Sequence, residues 1–548
     1  MSLTNLMKCY INKMIKESEP GYKVMLLDKY TTSLISLIMG MNEIMKEEVY
    51  LFEQLGQVNY SENMAYLKCI VFVRPTSTNV AALCQELQKP RYGSYYLNFS
   101  NSISKSDVKL LAESDEHEVV QEIHEIYADF LVHTPHLFSL SLPNCLQGQK
   151  WDSDALQRCI QGVAAVCFSL HIMPIIRYQN NSELCSSLAE NVMKKLIKEG
   201  LVCYDSPVQN NSLLLILDRQ EDPVTPLLHQ WTYEAMVHEL LGVHNGRVKI
   251  EHERSSSREE VKEFVMIPCQ DDFYLKCMYL NYGDIGQTIK ELMEEYQQKL
   301  SKQQNVESLS DMKKFVENYP EFKKMSGTVS KHVTILGELS RIVSSNKLLE
   351  ISECEQELVC GTEINFQRIK QLVSSHEIRE KDAVKLVMLY ALKHQRSHSN
   401  DVKTLISILK KKNVSDTSLK TSIPQDVSSI RRRFFKGIKG VDNVYTQHKP
   451  LLTEILNSAL RGRLKETQFP YCGTGNSGGA LESSCPKSIL VFMVGGITYE
   501  EAYAVHLLNS SSRSVKIYLG GNYIHNSQSF IDSINGSLSD HRKSAFNL

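Results

Sequence analysis

The sequence predicts an α/β plus α protein, in which two sections of parallel sheet are joined by a large, mostly helical insertion. Three observations carry this. Short aliphatic runs alternate with helical spacing through the first part of the chain, the pattern that builds βα units. Helical spacing alone then fills residues 247–461. Two apolar runs, Ser488–Val494 and Val515–Leu519, return near the end, and two strands cannot hold a sheet by themselves.

Taken in order, residues 1–20 read as an amphipathic helix without the compact apolar core and small-residue cleavage site of a secretory signal. Tyr22–Leu27, Val49–Phe52, Leu67–Val73 and Ser94–Phe99 are aliphatic or aromatic runs bounded by turn and capping residues, so strands are expected. Between them, Thr32–Lys46 and Thr78–Gln88 carry helical spacing. A second section follows, with strands expected at Leu137–Leu140, Pro174–Tyr178 and Leu213–Leu217. Inside the insertion only Phe264–Ile267 breaks the helical pattern. There Val329, Val333, Leu336, Leu339 and Val343 recur at steps of four and three, one face of a long helix. Ser310–Asn318 reads as its helical partner, with Tyr319-Pro320 at the junction. The expected domains are therefore residues 1–132, a discontinuous second domain of 133–246 and 462–548, and the insertion 247–461 with a hairpin around 310–345.

Composition narrows the function. The chain has 61 basic and 63 acidic residues, a net charge of −2, which argues against non-specific nucleic-acid binding. No run reaches the 18 or more apolar residues of a membrane span, so any membrane contact is expected to be peripheral or indirect. The 14 cysteines are scattered and form no Cys-x-x-Cys. Buried, reduced thiols in a cytosolic protein are expected, with neither metal nor cofactor.

Catalytic signals are sparse. Gly473-Thr-Gly475-Asn-Ser-Gly478 fits GxGxxG, but it neither leaves a strand nor opens a helix, so a surface loop is the expected reading. Asp28 and Asp218 end apolar runs, where ligands bind in doubly wound folds. They sustain an alternative, a nucleotide- or phosphate-dependent enzyme. Tyr30, however, stands where an aspartyl-phosphate enzyme needs its second acid. Arg219 and Asp222 follow Asp218, so helix capping and charge pairing are favoured. His133, His136, His238, His394 and His398 lack the companion ligands of a metal site. The basic run Arg431-Arg-Arg433, with Lys436, Lys439 and Lys449, reads as a solvated face or a contact for an acidic protein.

Several long segments decide the matter. They are Lys23-Val-Met-Leu-Leu-Asp-Lys29, Leu213-Leu-Leu-Ile-Leu-Asp-Arg219, Asp222-Pro-Val-Thr-Pro-Leu-Leu228 and Gln230-Trp-Thr-Tyr-Glu-Ala-Met-Val-His-Glu-Leu-Leu-Gly242. Phe315-Val-Glu-Asn-Tyr-Pro-Glu-Phe322, Val329–Val333, Glu338-Leu-Ser-Arg341 and Gly440-Val-Asp-Asn-Val-Tyr-Thr-Gln-His448 complete the set. Together they resemble, in order and over nearly the whole chain, the Sec-one/Munc-eighteen (SM) family of SNARE regulators, in its endosomal branch.

The resemblance implies an arch-shaped fold, no enzymatic activity and no cofactor. It implies a monomer at Golgi and endosomal membranes that binds a syntaxin-type SNARE and assembled SNARE bundles. By position it places Glu53 in a central cleft between the N-terminal domain and the insertion, while a basic family position near Gly40 is not kept. It also places an N-terminal peptide pocket in Asp107–Phe130, at Val108, Leu111, Val120 and Ile123, residues that on a helix serve a core equally well. Pro320 falls at the hinge of a helical hairpin, where a proline suits a bend. Between Asn413 and Phe434 the chain is shorter than its relatives, leaving Asp416–Ser429 as a polar connector.

Overall fold

The four aliphatic runs of the first section lie side by side in one sheet, and the later runs in a second. In the computed structural model, described for residues 2–57, 64–148, 150–203, 211–252, 260–304, 309–361, 366–394, 399–412, 445, 447–473, 486–512 and 514–545, the chain divides into two units. One comprises Met1–Arg219, Ile455–Ile497 and Val505–Ile524, the other Gln220–Glu454, Thr498–Ala504 and His525–Leu548.

In the first unit, α1 (Leu3–Glu17) starts at Ser2, whose hydroxyl accepts from the Asn5 amide at 3.2 Å. It buries Leu3, Leu6, Met7, Ile11, Met14 and Ile15, one stripe at helical spacing. The first sheet joins β1 (Lys23–Leu27), β2 (Val49–Gln54), β3 (Met64–Val73), β4 (Tyr92–Phe99) and β5 (Val120–Glu125), all parallel, in the order β2-β1-β3-β4-β5. The stretch expected as one helix is two, α2 (Lys29–Ile38) and α3 (Met41–Met45), because Met39 and Gly40 are extended. With α4 (Ser77–Gln88) and α5 (Lys105–Ser114) the sheet encloses a core of Val24, Leu26, Cys69, Val71, Leu83, Leu97 and Leu111. β5 is a strand where sequence favoured no strand.

The second sheet contains β6 (Leu131–Thr134), β7 (Leu137–Ser139), β10 (Ile175–Tyr178), β11 (Ser212–Asp218), β14 (Ser488–Val494) and β15 (Lys516–Gly521). Its order is β10-β11-β14-β15-β7-β6. The two late runs thus insert between β11 and β7, fully buried along β14, and are parallel to both neighbours. Gly520 is required there: a Cβ would lie 1.9 Å from the Phe138 ring. Helices α6 (Ser153–Ser169) and α7 (Glu183–Cys203) and a short ribbon, β8 (Leu146–Gln147) with β9 (Lys150–Trp151), complete this part.

The second unit is mostly helical: α8 (Tyr233–Leu240), α9 (Asp272–Cys277), α10 (Tyr282–Gln304), α11 (Leu309–Ser345), α12 (Leu348–Cys360), α13 (Phe366–Ser374), α14 (Glu380–His394) and α15 (Ser399–Lys411). An antiparallel ribbon, β12 (Arg247–His252) with β13 (Glu260–Val265), tucks Val248 and Ile250 into its core. Two expectations change here. The helix partner of α11 is α10, not Ser310–Asn318, and the α11 backbone stays helical through Pro320. The buried stripe of α11 is Val329, His332, Ile335, Leu339, Ile342 and Val343, whereas Val333 is 37% exposed. The first five of these recur at steps of three and four, and Val333 lies off that line.

Candidate functional site

In a doubly wound enzyme the ligand sits at the carboxyl ends of the strands, and both sheets show what fills those positions. After β1, Asp28 caps α2: its Oδ1 accepts from the Thr31 amide at 2.7 Å, and the Thr31 hydroxyl bonds back to the Asp28 amide side at 3.1 Å. Asp28 Oδ2 accepts from the Arg74 amide at 2.8 Å and from Asn79 at 2.7 Å. One carboxylate oxygen thus caps α2 while the other ties the end of β1 to the residue after β3.

Beside it Asp129, with no exposed surface, pairs with Arg74 at 2.9 Å and Arg158 at 3.0 Å and accepts from Asn101 at 3.1 Å. Arg158 donates to the Tyr30 hydroxyl at 2.6 Å and to the Asp129 carbonyl at 3.0 Å. Burial works against the Arg158 charge, but Asp129 and Tyr30 outweigh it and raise its pKa. Burial pushes the Tyr30 hydroxyl up as well. Tyr30, Arg74, Asp129 and Arg158 are thus satisfied by one another.

In the second sheet, Asp218 at the end of β11 accepts from the Ser182 hydroxyl at 2.6 Å, and its amide donates to Gln179 at 3.0 Å. The Gly495 amide after β14 donates to Asn522 after β15 at 2.9 Å. Asp222, in the other unit, accepts from the Thr225 amide at 3.0 Å and hydroxyl at 2.6 Å, capping the following turn. Each aspartate that suggested chemistry thus serves as a cap or a strand-end clasp.

Other candidates fare similarly. Among the described residues no group of three or more His, Cys, Asp or Glu is arranged to hold a metal, and no helix is long and apolar enough to cross a membrane. Cys69, Cys167 and Cys277 are buried free thiols, and burial pushes Cys167 up to about 12. His133 bonds Ser139 at 2.9 Å, and His238 packs edge-on against Tyr499. Residues 474–478 of the glycine-rich match, His398, the basic residues 431–439 and the connector 416–429 lie outside the described residues.

The residues expected to bind a partner are scattered by role. Leu111 is 1% exposed and belongs to the core of the first sheet, and Val120 packs against the same core. As a surface contact, Leu111 is a correction: one position along α5 separates the core face from solvent, and it is Leu110, 49% exposed, that points outward. Ile123, on β5, is 39% exposed, and Val108 is half-buried. Leu110 and Ile123 are therefore the apolar groups available on this side. β5 ends its sheet and so has an unpaired edge. Exposed acids surround it: Glu113, Glu116, Glu118, Glu122 and Glu125. Sequence reasoning missed Leu110 because helical spacing does not fix which of two adjacent leucines faces inward.

Glu53, on β2, is paired with Arg91 at 2.6 Å, and Arg91 also grips Glu86 at 3.0 Å. Burial opposes the Arg91 charge, but the two carboxylates raise its pKa. Gly40 is simply the residue before α3. Pro320 lies within α11.

Comparison with known proteins agrees with this geometry. The Sec1 family model matches residues 23–533. Vacuolar protein sorting-associated protein 45 of Mus musculus is 47% identical over 97% of this chain and 96% of its own length. A solved chain, the SM protein Vps45 in complex with the Qa SNARE Tlg2, is 38% identical with a TM-score of 0.90, covering 98% of this chain and 99% of that one. The Unc18-syntaxin 1 complex from Monosiga brevicollis, at 20% identity, shares the fold with a TM-score of 0.82 over 98% of this chain and 100% of that one. With 47% identity to one relative and residues 23–533 matched by the family model, the chain belongs to the Sec1 family.

Proposed function

We propose that this protein is a non-catalytic, SNARE-binding regulator of vesicle docking and membrane fusion in traffic between the trans-Golgi and endosomes. It acts as a monomer, bound to membranes through its SNAREs. Its partners are a syntaxin-type SNARE and the assembled SNARE bundle. One observation carries the reading: nearly the whole chain superimposes on a 38% identical protein solved in complex with a Qa SNARE. The absence of a catalytic role is supported by the strand ends, whose carboxylates are spent on internal hydrogen bonds. The three-domain division at residues 132, 246 and 461 belongs to the same reading.

The SNARE's N-terminal peptide docks on the outer side of α5 and β5, with Val108, Leu110 and Ile123 as apolar contacts and the surrounding glutamates as its rim. An exposed strand edge accepts an extended peptide through main-chain hydrogen bonds. Glu53, kept in place by Arg91, supplies an acidic position to the SNARE-binding surface, and Pro320 is where α11 bends.

The test is a titration of the full chain with cytosolic domains of endosomal syntaxin-type SNAREs, with and without their N-terminal peptides. Leu110→Arg and Ile123→Arg are each expected to weaken binding at least about tenfold while leaving the fold intact, since exposed positions tolerate charge. Leu111→Arg is unsuitable because it buries a charge in the core. Saturable binding indifferent to peptide and to both substitutions would remove the pocket. No saturable binding by the folded protein would remove the function. A thermal-shift screen with nucleotides and Mg²⁺ is expected to show no stabilisation, whereas a ligand at 100 times its Kd adds about 2.7 kcal/mol.

A further inference from the structure

Two of the motifs shared with the SM family, Gln230–Gly242 and Val329–Val333, meet at one side chain. His332 on α11 has no exposed surface. Its Nδ1 is 2.8 Å from the Tyr233 hydroxyl of α8, and its Nε2 is 3.1 Å from Asp271 Oδ2. Asp271 caps α9, accepting from the Tyr274 amide at 3.0 Å. Lys331 binds the same Asp271 oxygen and donates to the Val265 carbonyl, at the end of β13, at 2.9 Å. The rings of Phe273, Tyr233 and Tyr274 surround the imidazole at centroid distances of 4.8, 5.8 and 6.3 Å.

The protonation pattern follows from the partners. Burial works against the Asp271 charge, but His332, Lys331 and the Tyr274 amide outweigh it and hold its pKa well below the usual range. A carboxylate only accepts, so Nε2 carries the hydrogen and Nδ1 is left to accept from the Tyr233 hydroxyl. Burial, the largest influence, lowers the His332 pKa despite Asp271, so the ring is neutral at pH 7. The Tyr233 hydroxyl and the His332 Nε2–H then each have an acceptor.

The position along the helix gives the cluster its meaning. Lys323, Lys324 and Gly327 are exposed, burial begins at Val329, and from His332 onward Ile335, Leu339, Ile342 and Val343 sit in the core. From His332 to Leu309 the helix extends about 35 Å at 1.5 Å per residue.

We propose that Tyr233, His332, Asp271 and Lys331 form a latch that fixes the root of α11 to α8, α9 and the β12–β13 ribbon. From His332 to Ser345 the helix is thereby held against the elements it packs on. The proposal concerns the chain itself and stands or falls independently of SNARE binding.

The test is hydrogen exchange by mass spectrometry on the full chain. His332→Leu fills the space but removes both hydrogen bonds. It is expected to speed exchange of α11 amides between Lys323 and Ser345 about tenfold, with β11 and β14 of the other unit unchanged. His332→Gln restores protection, since its amide nitrogen donates to Asp271 and its carbonyl accepts from Tyr233. Tyr233→Phe, which removes a single donor, provides a milder variant if His332→Leu fails to fold. It is expected to speed the same amides by a smaller factor. Unchanged α11 exchange in His332→Leu and Tyr233→Phe would overturn the latch. So would loosening spread equally over both units, or a glutamine variant no better protected than leucine.

Discussion

Replacing Glu234 by glutamine is expected to stabilise the helical unit at neutral pH, by an amount that grows as pH rises. Glu234 lies on α8, 4% exposed, and its Oε2 accepts no hydrogen bond from the described residues. It is close enough to Tyr274 for its charge to be felt there. Burial raises its pKa from 4.5 to about 8. Between these values the folded protein holds a proton that the unfolded chain has lost. The unfolded state therefore binds fewer protons, and stability falls with rising pH by about 1.36 kcal/mol per unit. From the unfolded value of 4.5 up to pH 7 the accumulated loss is about 3 kcal/mol. Glutamine is nearly isosteric and does not titrate, so it escapes this loss.

The assay is urea unfolding followed by Trp231 fluorescence in a Trp151→Phe background. Trp231 is in the helical unit and Trp151 in the other, and the chain has 2 tryptophans. Wild type and variant should unfold at similar urea concentrations near pH 4.5. The variant should pull ahead by about 3 kcal/mol at pH 7. A difference that does not change with pH, or a variant less stable than wild type at pH 7, would refute the reasoning.

Two further outcomes follow from burial. Asp129→Ala strands the buried Arg158 guanidinium without its carboxylate, and is expected to cost about 3–5 kcal/mol in the first unit, read by Trp151 fluorescence in urea. On α11, Ile335→Ala is expected to cost about 2–5 kcal/mol and Val333→Ala under about 0.5 kcal/mol, measured as urea midpoints, since only Ile335 is buried.

What the sequence disclosed depended on how each element meets its surroundings. β1, β11 and β14 are buried along their whole length, so they appear as unbroken aliphatic runs. β5 pairs on one side only, and Val-Gln-Glu-Ile-His-Glu offers no such run. The β12–β13 ribbon does alternate, with Val248 and Ile250 inward between Arg247, Lys249 and Glu251. Its partner strand was visible only as an apolar stretch at Phe264–Ile267. Pro320 reads as a helix boundary by its chemistry, yet α11 continues through it; a proline weakens a helix by about 3 kcal/mol, and a helix of 37 residues has many other bonds. Hydrogen-bonded anchors such as Tyr233 with His332 are 99 residues apart, beyond any local pattern.

The strand-end aspartates show how a doubly wound sheet can satisfy its own strand ends. Asp28 and Asp218 stand where a doubly wound fold presents its chemistry, and local sequence cannot say whether such a carboxylate faces a ligand or its own chain. The distinction lies in distant residues: Arg74 and Asn79 for Asp28, Ser182 for Asp218. Asp129 with Arg74 and Arg158 extends the same solution across the end of the first sheet. A buried charge that is paired and hydrogen-bonded does not readily exchange its partners, because separating them leaves both ions desolvated. The strand-end carboxylates are thereby held by their own chain, while Leu110 on α5 and Ile123 on β5 are among the exposed apolar groups of this unit.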